Sequence, residues 1–158
     1  MLFFSISFQA NAQWYLQNSG TTANLIAVHF IDANTGWAVG DSGTILRTTN
    51  GGTNWVLQTS GTMNYYSAVS FTDANTGTAV GGYGTILRTT NGGTTWVSQS
   101  SGTANGLSAV SFTNANTGTA VGDSGTILRT TDGGTTWTSQ TSGTTDHLTG
   151  VSFTDANT

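Results

Sequence analysis

RTTNGGTNWVLQTSG at residues 47–61 is written again as RTTNGGTTWVSQSSG at 88–102 and as RTTDGGTTWTSQTSG at 129–143. Trp14, Trp55, Trp96 and Trp137 stand 41 residues apart without an insertion. Phe30, Phe71, Phe112 and Phe153 keep the same interval, as do Val28, Val69, Val110 and Val151, and Gln17, Gln58, Gln99 and Gln140. An unbroken period of this length is the signature of one supersecondary unit copied in tandem. Helical repeats of similar length need strong helix formers, yet the chain has no lysine and no glutamate.

The third copy divides most cleanly. LSAVSF (107–112), TAVG (119–122), TILRTT (126–131) and TWTSQTS (136–142) are short β-prone runs, separated by TNANTG, DSG and DGG. Named A to D, they make a four-stranded antiparallel unit of propeller-blade length. The sequence therefore predicts an all-β fold, a partial β-propeller forming an open arc with a 41-residue repeat. Its parts are a latch strand over 14–19, blades over about 25–60, 66–101 and 107–142, and the start of a fourth over 148–158. Counted this way the strands do not close a ring, so the chain is expected to be a piece of a longer one, with the remaining blades of the ring as partners. In such a unit the A–B and C–D turns lie on one face and the B–C and D–A connections on the other.

The opening stretch is the C–D hairpin. Asn50, Asn91 or Asp132 can accept hydrogen bonds from backbone N–H groups just ahead, and the paired glycines that follow can take positive φ. The indole after them is expected to cover the outer end of the sheet. Asn and Asp alternate at this position, which a turn acceptor tolerates and a catalytic acid does not.

Three arginines against seven aspartates give a net charge of −4. Such a chain lacks the basic footprint of a nucleic-acid binder. Residues 1–12, MLFFSISFQANA, read as a signal peptide ending in the small-x-small pattern Ala10-Asn11-Ala12, without a basic n-region. The run is too short to span a bilayer. A secreted, periplasmic or cell-surface location follows as the expectation.

Thr48-x-Asn50-x-Gly52-x-Asn54-Trp55, Thr89-x-Asn91-x-Gly93-x-Thr95-Trp96 and Thr130-x-Asp132-x-Gly134-x-Thr136-Trp137 resemble the Asp-box, or bacterial neuraminidase repeat. The longer phrase at 34–49 and 116–131 is similar to the repeats of the photosystem II assembly and stability factor family and its relatives in exported bacterial proteins. The resemblance covers 14–158 and implies that the boxes are structural and lie away from the ligand face. Two boxes carry Asn for Asp, and the first has Asn54 for Thr. Asp-boxes occur in enzymes and scaffolds alike, so function has to be argued from the site.

No catalytic set is legible. Arg47, Arg88 and Arg129 hold one repeat position, so they are spread around the arc and cannot converge on a carboxylate; they read as inter-blade contacts. The aspartates recur in turns, apart from Asp146. Ser-His-Asp chemistry has no strained-elbow motif to support it. His29 and His147 sit at different repeat positions, and no metal or cofactor is expected. The copies disagree in the D–A connection and the B–C turn, which places Tyr65, Tyr83, Asp146 and His147 on the face opposite the boxes as candidate ligand-binding residues. Trp37, where other copies have Thr78 and Thr119, is a further candidate exposed aromatic. The expected function is a non-catalytic exported module that binds protein or glycan. The alternatives are a piece of a sialidase-like or other glycoside hydrolase, and a purely structural surface repeat.

Overall fold

The computed structural model describes residues 16–155. The expected leader over 1–12, and Trp14, lie outside them. Among the described residues, twelve strands form three four-stranded antiparallel sheets in simple sequence order. Sheet one holds β1 (Leu25–Phe30), β2 (Gly36–Gly40), β3 (Ile45–Thr48) and β4 (Val56–Gln58). Sheet two holds β5 (Tyr66–Phe71), β6 (Gly77–Gly81), β7 (Ile86–Thr89) and β8 (Val97–Gln99). Sheet three holds β9 (Leu107–Phe112), β10 (Gly118–Gly122), β11 (Ile127–Thr130) and β12 (Thr138–Gln140). They follow one another as the blades of a partial propeller.

Neighbouring sheets meet through their first two strands: β1 and β2 against β5, and β5 and β6 against β9. Alternation along a strand sends side chains to opposite sides of the sheet, so the middle sheet serves two interfaces. Ala79 and Leu87 face back into a core with Trp37, Val39 and Ile45 of sheet one. Val80 and Ile86 face forward onto Leu107, Val110, Ala120 and Leu128 of sheet three. The fourth strands lie outermost and exposed. The described residues close no ring: Val28, on the leading face of sheet one, is 61% exposed, while its counterpart Val69 is 7% exposed.

Two expected strands differ. Residues 16–19 and 148–153 form no strand, because a strand needs a hydrogen-bonded neighbour and no ladder partner stands beside either segment among the described residues. Both nevertheless keep their repeat positions. The Phe153 N–H donates to Ser111 Oγ at 3.3 Å, as the Phe112 N–H donates to Ser70 Oγ at 3.3 Å. Gln17 lies beside Gly52 and Trp55 as Gln58 lies beside Gly93 and Trp96.

Trp55, Trp96 and Trp137 meet Phe30, Phe71 and Phe112 edge-on at 6.0, 5.9 and 5.9 Å. Trp37 is not exposed, contrary to the expectation from sequence. It is fully buried, its ring stacks on Phe71 at 3.5 Å, and its Nε1–H donates to the Gly92 carbonyl at 3.1 Å. The second strands of the first two sheets are covered by the next sheet, so an aromatic at Trp37 cannot face solvent. In the following interface Thr78 leaves room for Arg88, which lies 5.0 Å over Phe112, donates to Thr78 Oγ1 at 3.0 Å and donates to the Ala115 carbonyl. Arg47 lies 5.4 Å over Trp37 and Arg129 lies 6.0 Å over Phe153. The arginines reach the following unit, Arg47 at Gly92, Arg88 at Phe112 and Arg129 at Phe153.

Candidate functional site

On one face lie the C–D hairpins, locked from within. Thr130 Oγ1–H donates to Asp132 Oδ1 at 2.9 Å and accepts the Gly134 N–H at 2.8 Å; Asp132 Oδ1 also accepts the Thr136 N–H at 2.9 Å. Thr136 Oγ1–H adds a 2.6 Å bond to Asp132 Oδ2. With Asn91 the last bond reverses, its amide donating to Thr95 Oγ1 at 2.9 Å. A hydroxyl can donate or accept, which is why amide and carboxylate interchange here. Thr48, Asn50 and Gly52 repeat the arrangement: the Thr48 hydroxyl accepts the Gly52 N–H at 2.9 Å and donates to Asn50 Oδ1 at 3.0 Å. Thr89, Asn91 and Gly93 do the same. Asp32 and Asp73 close the A–B turns by accepting backbone N–H bonds, with Asn114 in the third copy.

The Thr136 hydroxyl and N–H hold the Asp132 carboxyl down to about 2. A carboxylate whose folded pKa lies below its unfolded value stabilises the fold above the unfolded pKa, and that contribution is lost as pH falls through the folded one. The stability difference between the native chain and D132N is therefore expected to narrow as pH falls from about 4 to about 2, the range between the two pKa values. Urea unfolding across that range checks this, and a constant difference would contradict it.

The opposite face is built where each B–C turn meets the D–A connections on either side. Backbone bonds tie them: Asp41 N–H to the Asn24 carbonyl at 3.0 Å, Gly82 N–H to Tyr65 at 3.1 Å and Asp123 N–H to Gly106 at 2.9 Å. Gly125 N–H reaches the Asp146 carbonyl at 2.8 Å. Tyr65 lies over Gly82, where an added Cβ would stand 2.5 Å from its ring, so the loss of the side chain present at Asp41 and Asp123 makes room for the phenol. Tyr83 is next in sequence, with φ of 56°, and the residue is 76% exposed. It stands at the rim of a groove of about 780 Å³ between two D–A connections, lined also by Asn64, Leu87, Trp96, Gln99 and Ser101.

Asp146 is exposed, and the Thr144 hydroxyl caps its turn by accepting the Asp146 N–H at 3.0 Å. His147 turns toward sheet three. Its Nδ1 lies 2.5 Å from Asp123 Oδ1 and its Nε2 lies 3.2 Å from Ser108 Oγ. Tyr65 thus lies over Gly82 with its hydroxyl toward Gly106, Tyr83 lines the groove, and His147 joins two residues that the sequence did not single out. Asp123 was legible only as a turn former. Ser108 carried no signal in the sequence; the fold places it where β9 skips a register step against β10, between Leu107 and Ala109. His29 lies on β1, half-buried, and burial pulls its imidazole below the usual range. Among the described residues, no group of three His or Asp side chains is placed to hold a metal ion, and no helix is long and apolar enough to cross a membrane.

The geometry can be set beside known proteins. YCF48 bound to D1 peptide is similar over 85% of this chain and 45% of its own, at 28% identity and TM-score 0.72. YCF48 from Cyanidioschyzon merolae is similar over 78% of this chain and 42% of its own, at 27% identity and TM-score 0.68. An ancestral GH74 enzyme shares the fold at 23% identity and TM-score 0.60, over 77% of this chain and 19% of its own. The chain thus spans less than half the length of these proteins. No curated protein matches significantly. Residues 6–99 and 57–138 match the sequence pattern of one family, and with the sheets in repeat order the chain belongs to it: the photosynthesis system II assembly factor YCF48 family.

Proposed function

We propose that this chain is part of an exported propeller module whose work is recognition of a protein segment on the B–C and D–A face, with Tyr65, Tyr83, Asp146 and His147 as contacts. The observation that carries it is Tyr83. A bulky residue at positive φ is strained, and a residue that is 76% exposed gains little packing within the chain to offset the strain. An aromatic held out beside a groove, with Tyr65 on the same face over Gly82, is suited to anchor a protein segment. A peptide is favoured over a glycan because the similar YCF48 structure is of a peptide complex. The C–D hairpins act as structural Asp-boxes on the far face. Export by the leader over 1–12 would deliver the module to the periplasm, cell surface or medium. The GH74 likeness supports the fold alone.

The test is selection from a random peptide library displayed on phage, with the D1 peptide as a defined probe. Peptides retained by the native chain should bind a chain carrying Y65A and Y83A at least about tenfold more weakly, the loss expected for two aromatic anchors. Equal binding by both chains would rule out this face.

A further inference from the structure

We propose that Ser108, His147 and Asp123 form a nucleophilic serine site that accepts the acyl group of an activated ester. This goes beyond recognition and turns on Ser108, outside the proposed binding contacts.

The geometry assigns each role. The ring nitrogen beside the carboxylate is Nδ1 and the one beside the hydroxyl is Nε2, at 2.5 and 3.2 Å. In the neutral ring Nδ1–H donates to Asp123, which leaves the Nε2 lone pair to accept the Ser108 Oγ–H. That is the arrangement a serine nucleophile needs, and it is identified by geometry rather than by order in the chain. Ser108 occupies the register skip of β9, and such bulges re-aim a side chain away from the ladder. Gly106 makes space for the carboxylate: a Cβ there would stand 2.7 Å from Asp123 Oδ2. The Asp123–Gly106 backbone bond ties the turn to the start of β9, and the Gly125–Asp146 and Leu148–Gly122 bonds fix it against the connection that carries His147.

The repeat supplies its own controls. In the second sheet the same three places hold Ser67, Gly82 and Gly106, and in the first Ile26, Asp41 and Tyr65. The full set occurs once.

The reaction balances with an ester and water. Ser108 Oγ bonds to the carbonyl carbon while its proton passes to Nε2; the bond to the leaving oxygen breaks, and that oxygen takes the proton as an alcohol. Water then gives a proton to Nε2 and bonds to the acyl carbon, and the acid departs as Oγ recovers the proton. The His147 and Asp123 side chains are 50% and 51% exposed. Solvent therefore reaches the site and screens developing charge, which fits esters with good leaving groups rather than amides.

The 158-residue chain, treated with an alkyl fluorophosphonate, should gain one adduct, mapped by mass spectrometry to Ser108. S108A should remove it, and H147Q and D123N should each slow labelling at least tenfold, toward the 10²–10⁴ expected for loss of a positioned base. Hydrolysis of p-nitrophenyl acetate should fall in parallel, while circular dichroism shows each variant folded. Adducts spread over other serines, Ser67 included, or labelling unchanged in H147Q, would overturn the proposal, as would no adduct. Peptide binding by S108A should persist, so loss of one activity is separable from loss of the other.

Discussion

Changing Trp37 to alanine is expected to lower the unfolding free energy by about 3–5 kcal/mol, the range for removing a buried aromatic. The ring is fully buried, lies parallel to Phe71 at 8°, and bonds the Gly92 carbonyl across the interface. Its loss leaves both a cavity and an unpaired carbonyl. The two other copies show a second way to fill the space. There a threonine admits an arginine, and Arg88 reaches Thr78, Phe112 and the next A–B turn at once. In the first interface the indole takes that room, and Arg47 Nε is left buried without a hydrogen bond. W37T should therefore cost less than W37A despite its added hydroxyl, because Arg47 can settle onto Phe71. Urea unfolding of both variants measures this; equal losses would mean that the arginine does not move.

Gly81→Ala should be comparably damaging, at about 3 kcal/mol, for a different reason. The glycine is extended, with φ of −173°, so alanine suits its backbone conformation. What it lacks is space: a Cβ would stand 1.9 Å from the Tyr65 carbonyl oxygen and 2.8 Å from Tyr66 Cα. Neither is the end of a side chain that could swing away. Gly40 and Gly122 meet the Asn24 and Gly106 carbonyls in the same way. Gly61→Ala is the contrast, with φ of 77° and nothing within 4 Å of the added atom. It should cost only about 1–2 kcal/mol, the penalty of the left-handed conformation. Thermal unfolding of the pair separates contact from conformation, and equal shifts would refute the steric account.

The sheets were legible because large aromatics and turn residues return at one interval, and a repeated unit repeats its contacts. Gln99 shows what periodicity alone leaves out. Its recurrence was plain, but only the fold shows it donating to Gly133 and accepting from Trp137 across the interface. Trp37 misled because the copies disagree there, and disagreement reads equally well as a surface or as a differently filled interior. The site was half legible. Tyr65 and Tyr83 stand out as departures on one face. So does His147, but its pairing with Ser108 and Asp123 does not, since the three come from two units and three elements, at separations of 39 and 24 residues that share nothing with the repeat interval.

The leading faces of the units are near copies of one another, and so are the trailing faces that receive them. Such surfaces carry no address. During folding, a unit's first strand can dock on the wrong predecessor, or on a neighbouring molecule's, with most native contacts satisfied. Correct threading then rests on the short D–A connections, which reach only the adjacent unit, and on the single indole that marks one junction as unlike the others.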